Sequence, residues 1–275
     1  MADLPSLPTP SPEPDPWAGL RAFTAARIAL GRTGTSVPLR EALAFRLAHA
    51  HARDAVYSVL ANTQLVNDLG ELELPVLAVR SQATTRPEYL RRPDRGRQLD
   101  AASRTQLADA ATGACDLVVV LADGLSATAT NQHALPLLRQ LVPALRQAGF
   151  RLGPLVLAEQ ARVALGDEVG HQLGARLVLV LIGERPGLSA PDSLGAYFTH
   201  GPRPGLTDEA RNCVSNIRPA GLGYEAAAAK LFYLLSESLR RQLSGVGLKD
   251  ESKLLTEEGG RDASGHALAP GRPPA

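Results

Sequence analysis

The side chains best suited to chemistry follow a short apolar run in the second half of the chain. Residues 177–182 (LVLVLI) contain no polar group, and the chain then turns through Gly183, Glu184 and Arg185. A run this short that ends at Gly is typical of a strand buried on both faces of a parallel sheet. Open α/β sheets bind ligands beyond the carboxyl ends of their strands. Glu184 is therefore either an acceptor for a ligand amide or hydroxyl, or an ordinary surface carboxylate.

Cys213, in the segment RNCVSNI, is a second candidate. Its thiol could pair with a histidine as a nucleophile, contact a ligand, or simply pack, and no thiol-hydrolase signature surrounds it. Other catalytic and binding motifs are missing from the sequence. Gly-x-Ser-x-Gly and Gly-x-Gly-x-x-Gly are absent, which disfavours a serine-hydrolase elbow and the usual dinucleotide fold. His49 and His51 lack the i,i+4 spacing of a zinc-binding helix.

The elements expected to position these side chains form a βαβ pattern after residue 116. Three apolar runs alternate with helical segments: residues 117–121, 153–158 and 177–182. This alternation predicts a doubly wound parallel sheet with right-handed crossovers. Polar residues follow every run, at Asp123, Glu159 and Glu184, and should therefore lie along one sheet edge.

Helices are predicted from apolar periodicity on both sides of this pattern. The predicted helices are residues 17–30, 38–60, 99–111, 126–148, 166–173 and 224–243. Pro136 and Pro143 should kink or split the fourth of these. Residues 74–79 form a short β-like run, whereas residues 192–217 have few apolar side chains and are predicted as loop above the sheet edge, where long loops are usually functional.

Two polar segments remain ambiguous in the first hundred residues. Residues 31–36 form a Gly-rich turn at a helix start, which is either a helix cap with a tight turn or a contact for a ligand or partner. Residues 80–97 hold six arginines. They form either a surface patch or a contact for phosphate or for carboxylates of a partner.

Composition restricts the class of protein. The 275 residues carry a net charge of +1, with 44% hydrophobic, 21% charged and 4% aromatic residues. This globular balance gives no reason to expect nucleic acid or an anionic membrane as partner. Two distant cysteines fit a reducing cytosol, and neither a secretory signal nor an apolar run of about 18 residues is present. We expect disorder in the Pro-rich residues 1–16 and in the tail 248–275.

Four segments together resemble the small (light) subunit of ethanolamine ammonia-lyase. They are GRTGTSVPLREALAFRLAHAHARDAV, LVVVLADGLSATAT, ARLVLVLIGERPGLSAPDSLGAY and RNCVSNIRP. The resemblance covers about residues 17–247, and the motifs are long and specific. It implies a Rossmann-like α/β subunit that joins a TIM-barrel large subunit in an adenosylcobalamin-dependent lyase. That enzyme converts ethanolamine to acetaldehyde and ammonia by a radical route.

The resemblance also implies roles for particular residues. Three family cofactor contacts match Val163 in QARVALGDEVG, Glu184 in IGERPG and Cys213 in RNCVSNI. Substrate and catalytic residues should belong to the large subunit, and no residue here is expected to bind cobalt. Residues 17–112 should be a helical region that docks on the large subunit, and residues 113–247 the Rossmann-like cobalamin-binding domain.

Two further features refine this expectation. His133 and His171 do not lie in the Asp-x-His-x-x-Gly signature, so cobalt should keep its own dimethylbenzimidazole. The Pro-rich arm lacks the pattern of an amphipathic targeting helix, which leaves two locations open: the free cytoplasm or a bacterial microcompartment. Two rival functions are a non-catalytic α/β ligand-binding or assembly module and an independent hydrolase that uses Cys213.

Overall fold

A computed structural model describes residues 15–24, 26–111 and 113–251. Within these ranges the chain is a mixed α/β protein with one six-stranded sheet. Almost all of the predicted N-terminal arm and C-terminal tail lies outside the described residues. None of the helices in the described ranges has the length and apolar character needed to cross a membrane.

Four neighbouring strands of the sheet are parallel, and two further strands extend it through antiparallel pairings. The strands are β1 (Val76–Arg80), β2 (Cys115–Ala122), β3 (Leu152–Glu159), β4 (Ala175–Gly183), β5 (Leu194–His200) and β6 (Arg211–Ile217). Their order is β1-β3-β2-β4-β5-β6, with β5 antiparallel to both of its neighbours. The predicted parallel sheet is therefore confirmed, and the β-like run near residue 76 is its edge strand.

Helices cover the two faces of this sheet. They are α1 (Leu39–Val56), α2 (Asn62–Leu69), α3 (Arg86–Arg91), α4 (Ala101–Ala110), α5 (Ala127–Gln147), α6 (Leu165–Gln172) and α7 (Tyr224–Arg241). The α5 helix is continuous through Pro136 and Pro143, so of the two expected outcomes, a kink or a split, the split does not occur. Eleven of its side chains are buried, and this packing offsets the backbone hydrogen bonds that the prolines remove.

Side-chain alternation along β2 explains the doubly wound arrangement. Leu117, Val119 and Leu121 pack in one core with α5 and α7. Val118 and Val120 pack in a second core with α4 and α6. Because successive side chains of a strand point to opposite faces, an all-apolar strand needs a helical layer on each side. The unbroken apolar runs of the sequence therefore reflect burial on both faces.

The predicted helix at residues 17–30 is wrong. Only Ala18–Phe23 are helical, as a 3-10 turn with no buried residue. The spacing of apolar residues favoured a helix, but an isolated helix this short is marginal without an apolar face packed against a core.

The predicted loop at residues 192–217 is also wrong in large part, because it contains β5 and β6. In β5 the buried Leu194, Ala196 and Phe198 alternate with residues on the other face. Antiparallel strands such as β5 show apolar residues at every second position rather than a continuous apolar run, so this segment resembles a polar loop in the sequence. As a consequence Cys213, which was expected in a loop above the sheet edge, lies within β6.

Candidate functional site

The candidate site lies at the carboxyl edge of the parallel strands, where two connections diverge. The chain leaves β2 for α5 on one face of the sheet, and it leaves the adjacent β3 for α6 on the other face. Such divergence opens a crevice between neighbouring strands, which is the usual ligand position in open α/β sheets. A cavity of ≈ 420 Å³ opens at this edge. Its lining includes Tyr89, Gly124, Arg162, Val163, Glu184 and Tyr197.

Glu184, directly after β4, is held by neighbours from two other elements. The Ser193 hydroxyl donates a short hydrogen bond to Oε2 of Glu184, and the backbone N–H of Asn216 donates to the same oxygen at 3.3 Å. Among the residues that the structure describes, Oε1 has no hydrogen-bond donor. The half-buried carboxylate is thus oriented by one oxygen and keeps an acceptor for a ligand.

Cys213 lies beside the same edge, two strands away from Glu184. It is the cross-strand partner of Tyr197, and both line a neighbouring cavity of ≈ 280 Å³ together with Val163. Val163 and Tyr197 line the larger cavity as well. The structure therefore brings Val163, Glu184 and Cys213 together around two adjoining cavities.

The Cys213 thiol and the Tyr197 hydroxyl both have raised pKa values. Partial desolvation of the Cys213 thiol raises its pKa; a hydrogen bond with Tyr197 opposes this rise, and the Glu184 charge adds to it. Desolvation also raises the pKa of Tyr197 above its ordinary value. A reactive cysteine requires a lowered pKa, so this thiol is poorly suited to be a nucleophile and better suited to contact a ligand.

Asp123 also lies at the edge, as the sequence predicted, but it is buried and turned towards the backbone. Its carboxylate accepts hydrogen bonds from the backbone N–H groups of Gln160 (2.8 Å) and Ala161 (3.0 Å), and the Arg86 guanidinium lies 3.6 Å away. Burial raises the pKa of Asp123 to about 6, although these partners oppose the rise. Asp123 thus joins the two loops that form the crevice.

Sequence reasoning missed two side chains of the larger cavity. Arg162 follows β3, and its guanidinium lies 4.2 Å from the centre of the Tyr89 ring. Tyr89 itself is fully buried in α3, and its hydroxyl donates to the carbonyl of Ala161. The position of Arg162 just beyond a predicted strand was an available signal; nothing in the sequence indicated that Tyr89 would reach this edge.

A third cavity, with a volume of ≈ 580 Å³, lies towards α4 and α6, but the buried charged side chains that line it are already paired. Arg104 forms an ion pair with Glu168, and Asp167 pairs with Arg211 at 2.7 Å between Oδ2 and Nη1. None of the three predicted contact residues lines it. We therefore place the candidate site at the two smaller cavities.

Histidines do not form a metal centre in the described part of the chain, where no group of three or more His, Cys, Asp or Glu side chains could hold an ion. His133 instead joins three elements. Its Nδ1 lies 2.8 Å from the Tyr224 hydroxyl and its Nε2 lies 3.3 Å from Oδ2 of Asp192. This arrangement links α5 to α7 and to the β4–β5 connection.

Comparison with known proteins gives a consistent family. The model of the ethanolamine ammonia-lyase light chain (EutC) matches residues 14–249. A protein of Ralstonia nicotianae is 54% identical over 90% of this chain and 93% of its own length. A protein of Bradyrhizobium diazoefficiens is 56% identical over 86% of this chain and 91% of its own length. A protein of Azotobacter vinelandii is 52% identical over 92% of this chain and 95% of its own length. All three are named ethanolamine ammonia-lyase small subunit.

Proposed function

This chain belongs to the family of ethanolamine ammonia-lyase small subunits, and we propose that it binds adenosylcobalamin jointly with a TIM-barrel large subunit. The observation that carries this proposal is the convergence of Val163, Glu184 and Cys213 around two adjoining cavities at one sheet edge. The family resemblance implies that these three positions contact the cofactor. The proposed reaction is the conversion of ethanolamine to acetaldehyde and ammonia.

The chemistry of these side chains fits a corrin. A corrin has an apolar flank and a rim of amides, so it needs apolar contacts together with hydrogen-bond acceptors. Val163 supplies an apolar surface, Oε1 of Glu184 can accept from an amide N–H, and the protonated Cys213 is a soft neutral contact. When bound, adenosylcobalamin supplies the radical chemistry through its Co–C bond. The role of this chain is to position the corrin and to exclude water from one side of it.

Catalytic residues are proposed to lie on the large subunit. The thiol of Cys213, with its raised pKa, argues against the rival hydrolase. We place the complex in the cytoplasm, either free or enclosed in a bacterial microcompartment.

The large subunit is proposed to dock on the N-terminal region, residues 17–112. Thirteen large hydrophobic side chains are exposed within the described ranges, and twelve of them lie between Trp17 and Val66. Exposed apolar side chains concentrated in one region are typical of an interaction site. Because four of these residues lie on α1 and the helix buries only Ala55, α1 is the proposed centre of the interface.

The first test measures lyase activity on ethanolamine with adenosylcobalamin. The chain should be inactive alone and active after co-expression with the large subunit, because the catalytic groups are supplied by the partner. Cys213→Ala should retain activity in the complex. An inactive complex of two well-folded subunits would favour the rival ligand-binding module, and activity of the isolated chain that Cys213→Ala abolishes would favour the hydrolase.

A further inference from the structure

Arg162 is held in one orientation at the larger of the two cavities. Its Nη2 donates a hydrogen bond to the backbone carbonyl of Tyr89 at 3.2 Å, and its guanidinium stacks on the Tyr89 ring. Its backbone N–H donates to the carbonyl of Gly96 at 2.8 Å. A flexible side chain fixed in this way loses little further conformational entropy when it binds a ligand.

The charge of Arg162 is not neutralised by the protein. Among the described residues no carboxylate forms an ion pair with it, and its buried Nε has no hydrogen-bond acceptor. Arg86, whose guanidinium also lies over the Tyr89 ring, differs because it lies 3.6 Å from the Asp123 carboxylate. Because no carboxylate neutralises it, the Arg162 guanidinium can attract an anionic ligand group through its remaining N–H groups.

A second cation lines the same cavity. Arg185 is exposed, and no ion pair or hydrogen bond of its side chain is recorded in the described part of the chain. Glu184 is the one carboxylate among the lining residues, and its Oε2 is already occupied by Ser193 and Asn216. Two guanidinium groups that have no carboxylate partner among the described residues line this cavity, and they indicate an anionic ligand group.

The planar shape of the guanidinium groups and their position at the sheet edge indicate which kind of anion they bind. A planar guanidinium matches two phosphate oxygens at once, and the crevice of a doubly wound sheet is the place where such folds hold phosphate groups. We propose that Arg162, assisted by Arg185, binds the phosphodiester in the nucleotide arm of the cobalamin. This inference rests on the proposed function, because it assigns one charged group of that cofactor to one residue of this chain.

The experiment compares ligands with and without the phosphate. Adenosylcobalamin, adenosylcobinamide phosphate and adenosylcobinamide share the corrin and its amides, but the last one has no phosphate. Their affinities are measured by equilibrium dialysis on the assembled complex. Arg162→Gln should weaken binding of the two phosphate-bearing ligands by about 10- to 100-fold, the range expected for hydrogen bonds to a charged group. Binding of adenosylcobinamide should change by less than about threefold.

Two more variants make the result specific. Arg162→Lys keeps the charge without the bidentate geometry, so it should recover part of the lost affinity, and it also serves if Arg162→Gln fails to fold. Arg139→Gln, at an exposed arginine of α5 paired with Glu71, should leave all three affinities unchanged.

The outcomes separate this inference from the proposed function. Equal losses for all three ligands, or no loss for any of them in both Arg162 variants, would overturn the phosphate assignment while the cofactor-binding role stands. If the wild-type complex binds none of the three ligands, the proposed function itself fails. Saturable binding of inorganic phosphate that Arg162→Gln removes, without any preference of the wild type for phosphate-bearing ligands, would assign the site to free phosphate and overturn the proposal.

Discussion

At the scale of single residues, Glu184 shows how the neighbours of a carboxylate make it a candidate contact for a ligand. A glutamate side chain that directly follows a strand is free to move when nothing holds it. Here the Ser193 hydroxyl and the backbone N–H of Asn216 both hold Oε2, which fixes the direction of Oε1. A fixed acceptor binds a ligand amide at a lower entropic cost than a mobile one.

We predict that Glu184→Ala weakens adenosylcobalamin binding to the complex by roughly 10-fold, the effect of about one lost hydrogen bond. Glu184→Gln should also weaken binding, because its amide oxygen takes the place of Oε2, which accepts from Ser193 and Asn216, and its NH2 group then stands where Oε1 would accept from the ligand. Equilibrium dialysis measures both. The fold should persist, since an edge residue contributes little core packing. An affinity equal to that of the wild type in Glu184→Ala would remove Glu184 from the site.

Asp123, in contrast to Glu184, is a carboxylate at the same sheet edge that is not available to a ligand. It follows its strand as Glu184 does, but its side chain is only 4% exposed, and the backbone of residues 160 and 161 occupies its oxygens. A carboxylate that is already satisfied by backbone donors has little left to offer a ligand. We therefore assign it a structural role in joining the two crevice loops.

At the scale of elements, α1 is the least buried of the long helices that the structure describes. Leu39, Leu43 and Leu47 lie at i, i+4 and i+8 and therefore form one stripe; their exposed fractions are 73%, 53% and 58%. Helices in globular proteins normally turn such a stripe towards a core. The stripe on α1 is thus a surface for a partner, which we propose to be the large subunit.

We predict that Leu43→Asp combined with Leu47→Asp prevents assembly with the large subunit and leaves the fold of this chain unchanged. Burying two carboxylates in an apolar interface is costly, whereas their present positions are exposed. Co-purification measures assembly, and circular dichroism measures the fold. The matched control is Ala229→Asp, at an exposed position of α7, which should assemble normally. Normal assembly of the double variant would show that the interface lies elsewhere.

At the scale of the whole molecule, the site depends on the close approach of two loops. The turn after β2 lies directly against the end of β4: a Cβ on Gly183 would lie 1.9 Å from the Ser126 carbonyl oxygen. The backbone N–H of Leu125 also donates to the carbonyl of Gly183 at 2.9 Å. Since the obstructing atom belongs to the backbone, only glycine fits at residue 183.

We predict that Gly183→Ala destabilises the chain by about 1–3 kcal/mol or more, because it forces the two loops apart. It should also weaken cofactor binding, because Gly124, Leu125 and Gly183 line the larger cavity. Urea denaturation of the complex and equilibrium dialysis measure the two effects. Gly187→Ala is the control: its Cβ would make only ordinary contacts with Ala190, at 3.8 Å, so stability and affinity should hold. Equal stability and equal cofactor affinity of Gly183→Ala and Gly187→Ala would show that the close approach at Gly183 does not support the site.

The parallel core followed from the sequence because burial on both faces imposes an unbroken apolar run, visible in β2 and β4 without knowledge of their partners. The same reasoning located Glu184 at a sheet edge, since the end of such a run marks the end of a strand. It failed for β5 and β6, whose weaker pattern depends on the strand beside them. It also failed at residues 17–30, where apolar spacing is present but no core is available to pack against.

Specific motifs in the sequence indicated the family, and with it Val163, Glu184 and Cys213 as a candidate set. Only the tertiary structure decided which other side chains share their cavities. Tyr89 and Arg162 are 73 positions apart and meet because Tyr89, in α3, reaches the segment after β3, where its hydroxyl donates to the Ala161 carbonyl. Likewise Asp123 and Glu184 look alike in sequence, yet one is enclosed by backbone donors and the other faces a cavity. Local patterning encodes which element a residue belongs to, whereas its contacts depend on long-range packing that no short segment specifies.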